Sequence, residues 1–190
     1  MVLSSPANSP IRVFGLTGQP SAGKDTAADF FVSKGYEHLS TGDLMRQEMR
    51  KAGIPLDRPN MSEFARQTKK ERGMGYLAEL ATKAIKGNAV VSGLRAALEV
   101  EILRKHFGKN FVLLAIDAPI RTRYERAFKR NRPGDNVTFE QFQAQEDRER
   151  ADPSGAQEVD KVIAMADKVI DNSGSMEVLK QQLEIVANNQ

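Results

Sequence analysis

The sequence contains no cysteine and no tryptophan. Without cysteine there is no disulfide framework, no zinc–thiolate site and no cysteine nucleophile. That composition fits a reducing compartment, and a cytoplasmic protein is expected. Only two histidines occur, His38 and His106. No metal-ligand spacing pairs them, and neither is assigned a catalytic role. His106, just before Gly108, reads as a dipole partner at a helix C-terminus. Apolar runs stop short of the ~20 residues that span a bilayer, so no membrane association is expected. Residues 1–10 hold Ser, Pro and Asn without the apolar core of a signal peptide, and read as a flexible tail. A large excess of one charge is also missing. The net charge of +3 does not argue for nucleic acid, which is not expected as a partner.

What is present is enough for one compact domain, residues 11–190. The chain has 190 residues and is 40% hydrophobic, so a sizeable core can form. Apolar runs alternate with longer amphipathic segments, which predicts repeated β-α units and a parallel sheet. Strands are expected at 12–16, 36–39, 89–92, 111–116 and 168–170. The first, third and fourth are apolar almost throughout, as central parallel strands should be. Helices are expected at 24–34, 42–52, 62–72, 76–86, 98–107, 120–129, 139–150, 156–166 and 176–186. Residues 54–61 and 130–138 read as mobile connections. The fold class is α/β: a three-layer sandwich with a five-stranded parallel sheet flanked by helices.

The chain is organised around Gly15-Leu-Thr-Gly-Gln-Pro-Ser-Ala-Gly-Lys-Asp-Thr26. It follows a strand-like run and precedes a helix-like one. Gly18, four residues, then Gly23-Lys24 match a phosphate-binding P-loop up to the lysine. Such a loop turns backbone N–H groups inward, and the following helix N-terminus completes an anion site. Gly18, Ser21, Ala22, Gly23, Lys24, Asp25 and Thr26 are the expected ATP ligands, with Lys24 reaching the outer phosphates. A P-loop places Ser or Thr after its lysine to bind Mg²⁺; here Asp25 stands there. A carboxylate beside polyphosphate makes sense if it faces Mg²⁺. The plain alternative is an acidic residue complementing the helix dipole.

Two more motifs follow strands, where ligands of parallel α/β sheets bind. Ser40-Thr-Gly-Asp-Leu-Met-Arg46 opens a helix and, taken alone, is a good N-cap. Ser92-Gly-Leu-Arg95 brings a guanidinium to the same edge, and arginine is suited to clamping phosphate. A basic run, Arg121, Arg123, Arg126, Lys129, Arg130, Arg132, Arg148 and Arg150, reads partly as lid and partly as solvated face.

These motifs resemble the P-loop nucleoside monophosphate kinases of the adenylate-kinase-like group. By that resemblance the helices of residues 40–86 receive the acceptor. Thr41, Gly42 and Asp43 would lie against it, with Arg46 holding its phosphate. Gly93-Leu94-Arg95 is similar to a Gly-Phe-Pro-Arg turn, making Arg95 a second phosphate ligand. Arg126, Arg130 and Arg132, with Asp135, resemble the arginines of a lid over residues 126–138. The stretch Val169-Ile-Asp-Asn-Ser-Gly-Ser175 is similar instead to the last loop of dephospho-CoA kinases, near the adenine, which implicates Asn172 and Gly174. The combination resembles a group of dephospho-CoA-kinase-like P-loop proteins common in archaea.

The sequence departs from these families in three places. Related kinases often carry an acid where Ser92 stands and a hydroxyl where Asp25 stands, so the two are expected to share Mg²⁺ with exchanged roles. A similar glycine–lysine–aspartate–threonine loop occurs in phage-type deoxynucleoside monophosphate kinases. Glu99 occupies the place of an adenine-reading glutamine, and is expected either to read the acceptor base or to face solvent. The expected activity is phosphoryl transfer from ATP to a nucleoside monophosphate. Dephospho-CoA kinase is the alternative, with Asp43 as base. A P-loop ATPase or switch module binding protein or RNA is the second alternative.

Overall fold

The computed structural model describes residues 10–131, 135–150 and 158–188. Five strands, β1 (Val13–Thr17), β2 (Glu37–Ser40), β3 (Ala89–Ser92), β4 (Phe111–Asp117) and β5 (Lys168–Asp171), form one sheet in the order β2-β3-β1-β4-β5. Every pairing is parallel. β1 and β3 are buried along their whole length, and β4 nearly so. These are the three interior strands, covered on both faces as their continuous apolar sequences require. β2 and β5, at the edges, bury little beyond Leu39 and Ile170.

Nine α-helices are assigned among the described residues: α1 (Lys24–Ser33), α2 (Thr41–Lys51), α3 (Arg58–Arg72), α4 (Tyr76–Ala84), α5 (Ala97–Phe107), α6 (Ile120–Arg130), α7 (Phe139–Arg150), α8 (Val159–Ala164) and α9 (Met176–Asn188). Strand alternation divides the core in two. On one face Phe14, Leu16, Val90, Leu114, Ile116 and Ile170 pack with Ala27, Ala28 and Phe31 of α1 and Leu179, Leu183 and Val186 of α9. On the other, Val13, Leu39, Val91 and Leu113 pack with Ala78 and Ala81 of α4, Val100 and Leu103 of α5, and Val162 of α8. The Phe14 and Phe31 rings stack at 4.3 Å between centroids, which fixes α1 against β1.

One connection expected to be mobile is partly helical. α3 begins at Arg58 because Asp57 caps it: its carboxylate accepts from the Asn60 amide at 2.9 Å, and Pro59 sits where its missing N–H costs nothing. The last expected helix before β5 is shorter than its periodicity suggested, ending at Ala164. Among the described residues no helix is long and apolar enough to cross a membrane.

Because all strands are parallel, their C-terminal ends share one edge. The P-loop leaves β1 there, Thr41 follows β2, Gly93 follows β3, Ala118 follows β4 and Asn172 follows β5.

Candidate active site

The loop between β1 and α1 is held by its own backbone and by side chains from elsewhere. The Thr17 hydroxyl donates to the Leu94 carbonyl at 3.0 Å, joining the loop's entry to the turn after β3. Ser21 adopts a positive φ of 61°, unusual for a residue with a side chain. Its Oγ is buried and has no hydrogen-bond partner among the described residues. Gly23 has φ 107°, and a Cβ there would come within 2.1 Å of Asn172 Nδ2, so only glycine fits.

Lys24 opens α1 and folds back over the loop. Its Nζ donates to the carbonyls of Gly18 (2.8 Å) and Gln19 (2.9 Å). Burial, then the field of Arg95, with smaller contributions from Arg123 and Arg130, lowers its pKa to about 8, against an opposing pull from Asp25. Of these arginines, Arg123 and Arg130 are each paired with a carboxylate, Glu146 and Asp135. An unpartnered serine hydroxyl, a strained loop and a partly desolvated ammonium all fit a polyphosphate.

The back of the loop is braced from β5 and α6. Asn172 Nδ2 donates to the Ala22 carbonyl at 2.7 Å, and the Asn172 amide donates to Asp117 O at 2.7 Å. Asn172, expected near the adenine, thus lies against the P-loop, where its amide group holds backbone. Gly174 lies exposed two residues further on. Arg126 differs from its expected position over the transferring group: it donates to Ala22 O (3.3 Å) and Asn172 O (2.8 Å), clamping the loop from behind. Arg130 forms a two-pronged ion pair with Asp135, at 2.9 and 3.0 Å. Arg132 lies outside the described residues.

Arg123 was not singled out from the sequence. It is 4% exposed, donates to Ala118 O at 2.9 Å, reaches Pro20 O of the loop at 3.5 Å, and forms a bidentate ion pair with buried Glu146 of α7. The signal for it was available. It lies four residues before Ala127, on the inward stripe of α6, where a charge demands a partner. Gln19 also gains a partner from afar, donating to Asp160 of α8 at 2.6 Å.

On the acceptor side, two expectations change. The Thr41 hydroxyl is buried and donates to Gly93 O at 3.0 Å, so it ties α2 to the turn after β3. Glu99 neither reads a base nor faces solvent. It is buried, and its Oε2 accepts from the amides of Arg95 (2.8 Å) and Ala96 (3.0 Å). Those are amides at the start of α5 that have no partner within the helix. Burial pushes the Glu99 carboxyl up while the two amides oppose it. Asp43 and Arg46 pair with each other across one turn of α2, beside Gly42, and the Asp43 amide is capped by Ser40. Arg95 is exposed, and its guanidinium makes no hydrogen bond or ion pair among the described residues.

For a cation the chemistry is oxygen. Asp25 presents an exposed carboxylate in the first turn of α1. Ser92 lies on the α1 side of the sheet, as Leu16, its register partner, does. Its Oγ is 2.8 Å from His38 Nε2, a contact the sequence did not disclose. Mg²⁺ keeps most of its waters and is held by one or two protein oxygens plus phosphate, and oxygen is what Asp25 and Ser92 offer.

A family model described as an AAA domain matches residues 17–143, more than half of the chain. A UPF0200 protein of Pyrococcus abyssi is 34% identical over 90% of this chain and 92% of its own length. The chain belongs to the AAA-domain and UPF0200 families. A UPF0200/UPF0201 protein of Archaeoglobus fulgidus is 33% identical over 88% of the chain, which spans about half (52%) of that longer protein. Among solved structures, the UPF0200 chain is similar to TT1252 of Thermus thermophilus (TM-score 0.60, 20% identity, 95% of this chain and 98% of that one). It is also similar to a shikimate kinase of Acinetobacter baumannii crystallised with shikimate (TM-score 0.55, 17% identity, 96% of both). The fold is that of P-loop kinases.

Proposed function

We propose that the protein transfers the γ-phosphoryl group of Mg-ATP to a nucleoside monophosphate. The observation that carries this reading is the loop after β1: the Ser21 hydroxyl is buried without a partner among the described residues, and the Lys24 ammonium is held by the Gly18 and Gln19 carbonyls at the start of α1. Such a loop is short of negative charge. Two phosphate-bearing substrates supply that charge, and transfer between them needs positioning and charge compensation more than covalent chemistry.

The loop amides, Ser21, Lys24 and Thr26 hold the donor. Asp25 and Ser92 would hold Mg²⁺, which offsets charge on the outer phosphates when bound. Arg126 and Asn172 keep the loop in shape, and Arg123 anchors α6 and α7 to it. Arg95 and Arg46 hold the acceptor phosphate, and Arg130 closes from the lid. A phosphate acceptor is already an anion and needs no base. The hydroxyl of dephospho-CoA would instead call on Asp43 as a base, and the Ser40-Thr-Gly-Asp-Leu-Met-Arg46 element after β2 favours the monophosphate.

The test is ADP formation from Mg-ATP with AMP, CMP, GMP, UMP, their deoxy forms and dephospho-CoA, against a control without acceptor. Strong stimulation by one monophosphate is expected. In Arg95→Ala, acceptor KM should rise with donor affinity kept. Stimulation by dephospho-CoA alone would replace the reading with that kinase. No stimulation by any acceptor would replace it with a P-loop ATPase or switch.

A further inference from the structure

His38 belongs to β2, an edge strand, and its ring reaches across the ladder. β2 and β3 pair with His38 opposite Val90 and Ser40 opposite Ser92, so His38 and Ser92 are diagonal neighbours. Both point to one face, the one on which Val90 and Leu16 pack and α1 lies. Ser92 is in register with Leu16, two residues before Gly18. The Nε2–Oγ distance is 2.8 Å. Ser92 is 5% exposed, so its hydroxyl has few alternative partners.

We propose that His38 is a positioning residue for the magnesium–nucleotide site, acting through Ser92. A hydroxyl oxygen that faces a cation must direct its proton elsewhere. In the tautomer that carries its proton on Nδ1, His38 Nε2, at 2.8 Å, accepts that proton and leaves the oxygen lone pairs for the α1 side. Without the ring, the hydroxyl is free to rotate its proton toward the cation and its useful fraction falls. An orienting partner would be needed more here than elsewhere, because a neutral serine offers the cation less than a carboxylate does. Groups that orient metal ligands are commonly worth about 10–100-fold in metal affinity.

This rests on the kinase reading, and the test separates the two. Binding of ADP is measured by calorimetry with excess Mg²⁺ and again in EDTA, for the wild type, His38→Ala, Ser92→Ala, the double variant and His38→Gln. The wild type should bind more tightly with Mg²⁺. His38→Ala and Ser92→Ala should each lose about tenfold of that tightening, and the double variant no more than either alone, because one residue acts through the other. Affinity in EDTA should not change, which also shows that the variants are folded. His38→Gln, whose side-chain oxygen can accept the same proton, should recover part of the loss. If the wild type shows no Mg²⁺-dependent tightening, the metal–nucleotide site itself is wrong. If it does and His38→Ala keeps all of it, or the losses add, His38 does not position Ser92.

Discussion

Lys24 makes the site's electrostatics measurable in the absence of any substrate. Its pKa is held at about 8 instead of 10.5. The unfolded chain then binds more protons than the folded one between these values, so stability rises with pH across that window. At pH 7 the charged, desolvated ammonium costs the folded state about 3 kcal/mol, and at pH 10 about 1 kcal/mol. Lys24→Met removes the titration. It also removes two hydrogen bonds to Gly18 O and Gln19 O, each worth about 1 kcal/mol, but that loss is nearly independent of pH. Urea unfolding of both proteins at pH 7 and pH 10 isolates the effect, since every other titrating group is shared. The wild type should gain about 2–3 kcal/mol relative to the variant on going from pH 7 to pH 10. A stability difference that does not change with pH would mean that Lys24 is not a desolvated cation among arginines. The reading of the site as one short of negative charge would then fail. A bound polyphosphate restores the ammonium, so ADP binding at pH 8.5 should take up protons, seen as buffer-dependent binding enthalpy.

Three further outcomes follow from the contacts. Gly23→Ala puts a methyl group 2.1 Å from Asn172 Nδ2 at φ 107°; nucleotide binding should be lost by calorimetry while far-UV circular dichroism stays native, and retained affinity would show that the loop is not held as described. Glu146→Ala leaves the Arg123 guanidinium buried without its carboxylate, which should cost about 3–5 kcal/mol in denaturant unfolding; an unchanged midpoint would show that the pair is not a structural lock. Glu99→Ala strands the Arg95 and Ala96 amides at a cost of about 1–3 kcal/mol, and acceptor-base preference should stay unchanged; a switch in preference would restore Glu99 as a base reader.

Much of the fold was legible because it is written in local patterns. The apolar runs of β1, β3 and β4 report burial on both faces, and those strands occupy the sheet interior. The P-loop was legible because its glycines serve the geometry of a few consecutive residues. The misreadings share one cause. Thr41 and Glu99 read as substrate contacts by resemblance, yet each spends its polar atoms on backbone that the fold brings beside it. Arg126, placed over the phosphoryl group by resemblance, is drawn to the loop by two carbonyls, one of them from Asn172 just after β5. Proline at 59 suggested a break, but Asp57 made it a helix start.

The sequence by itself determined the α/β alternation, the anion-binding loop and the arrival of Asp25, Arg46 and Arg95 near one end of a parallel sheet. These rest on chain-local rules of periodicity, backbone freedom and charge. Only the tertiary structure decided the strand order, the His38–Ser92 pair, the Arg123–Glu146 lock and the brace of Asn172 on Ala22. Their partners lie 54, 23 and 150 residues apart in the chain. Hydrogen bonds and ion pairs act over a few ångströms, so whether such groups meet is settled by how the strands register and the helices pack.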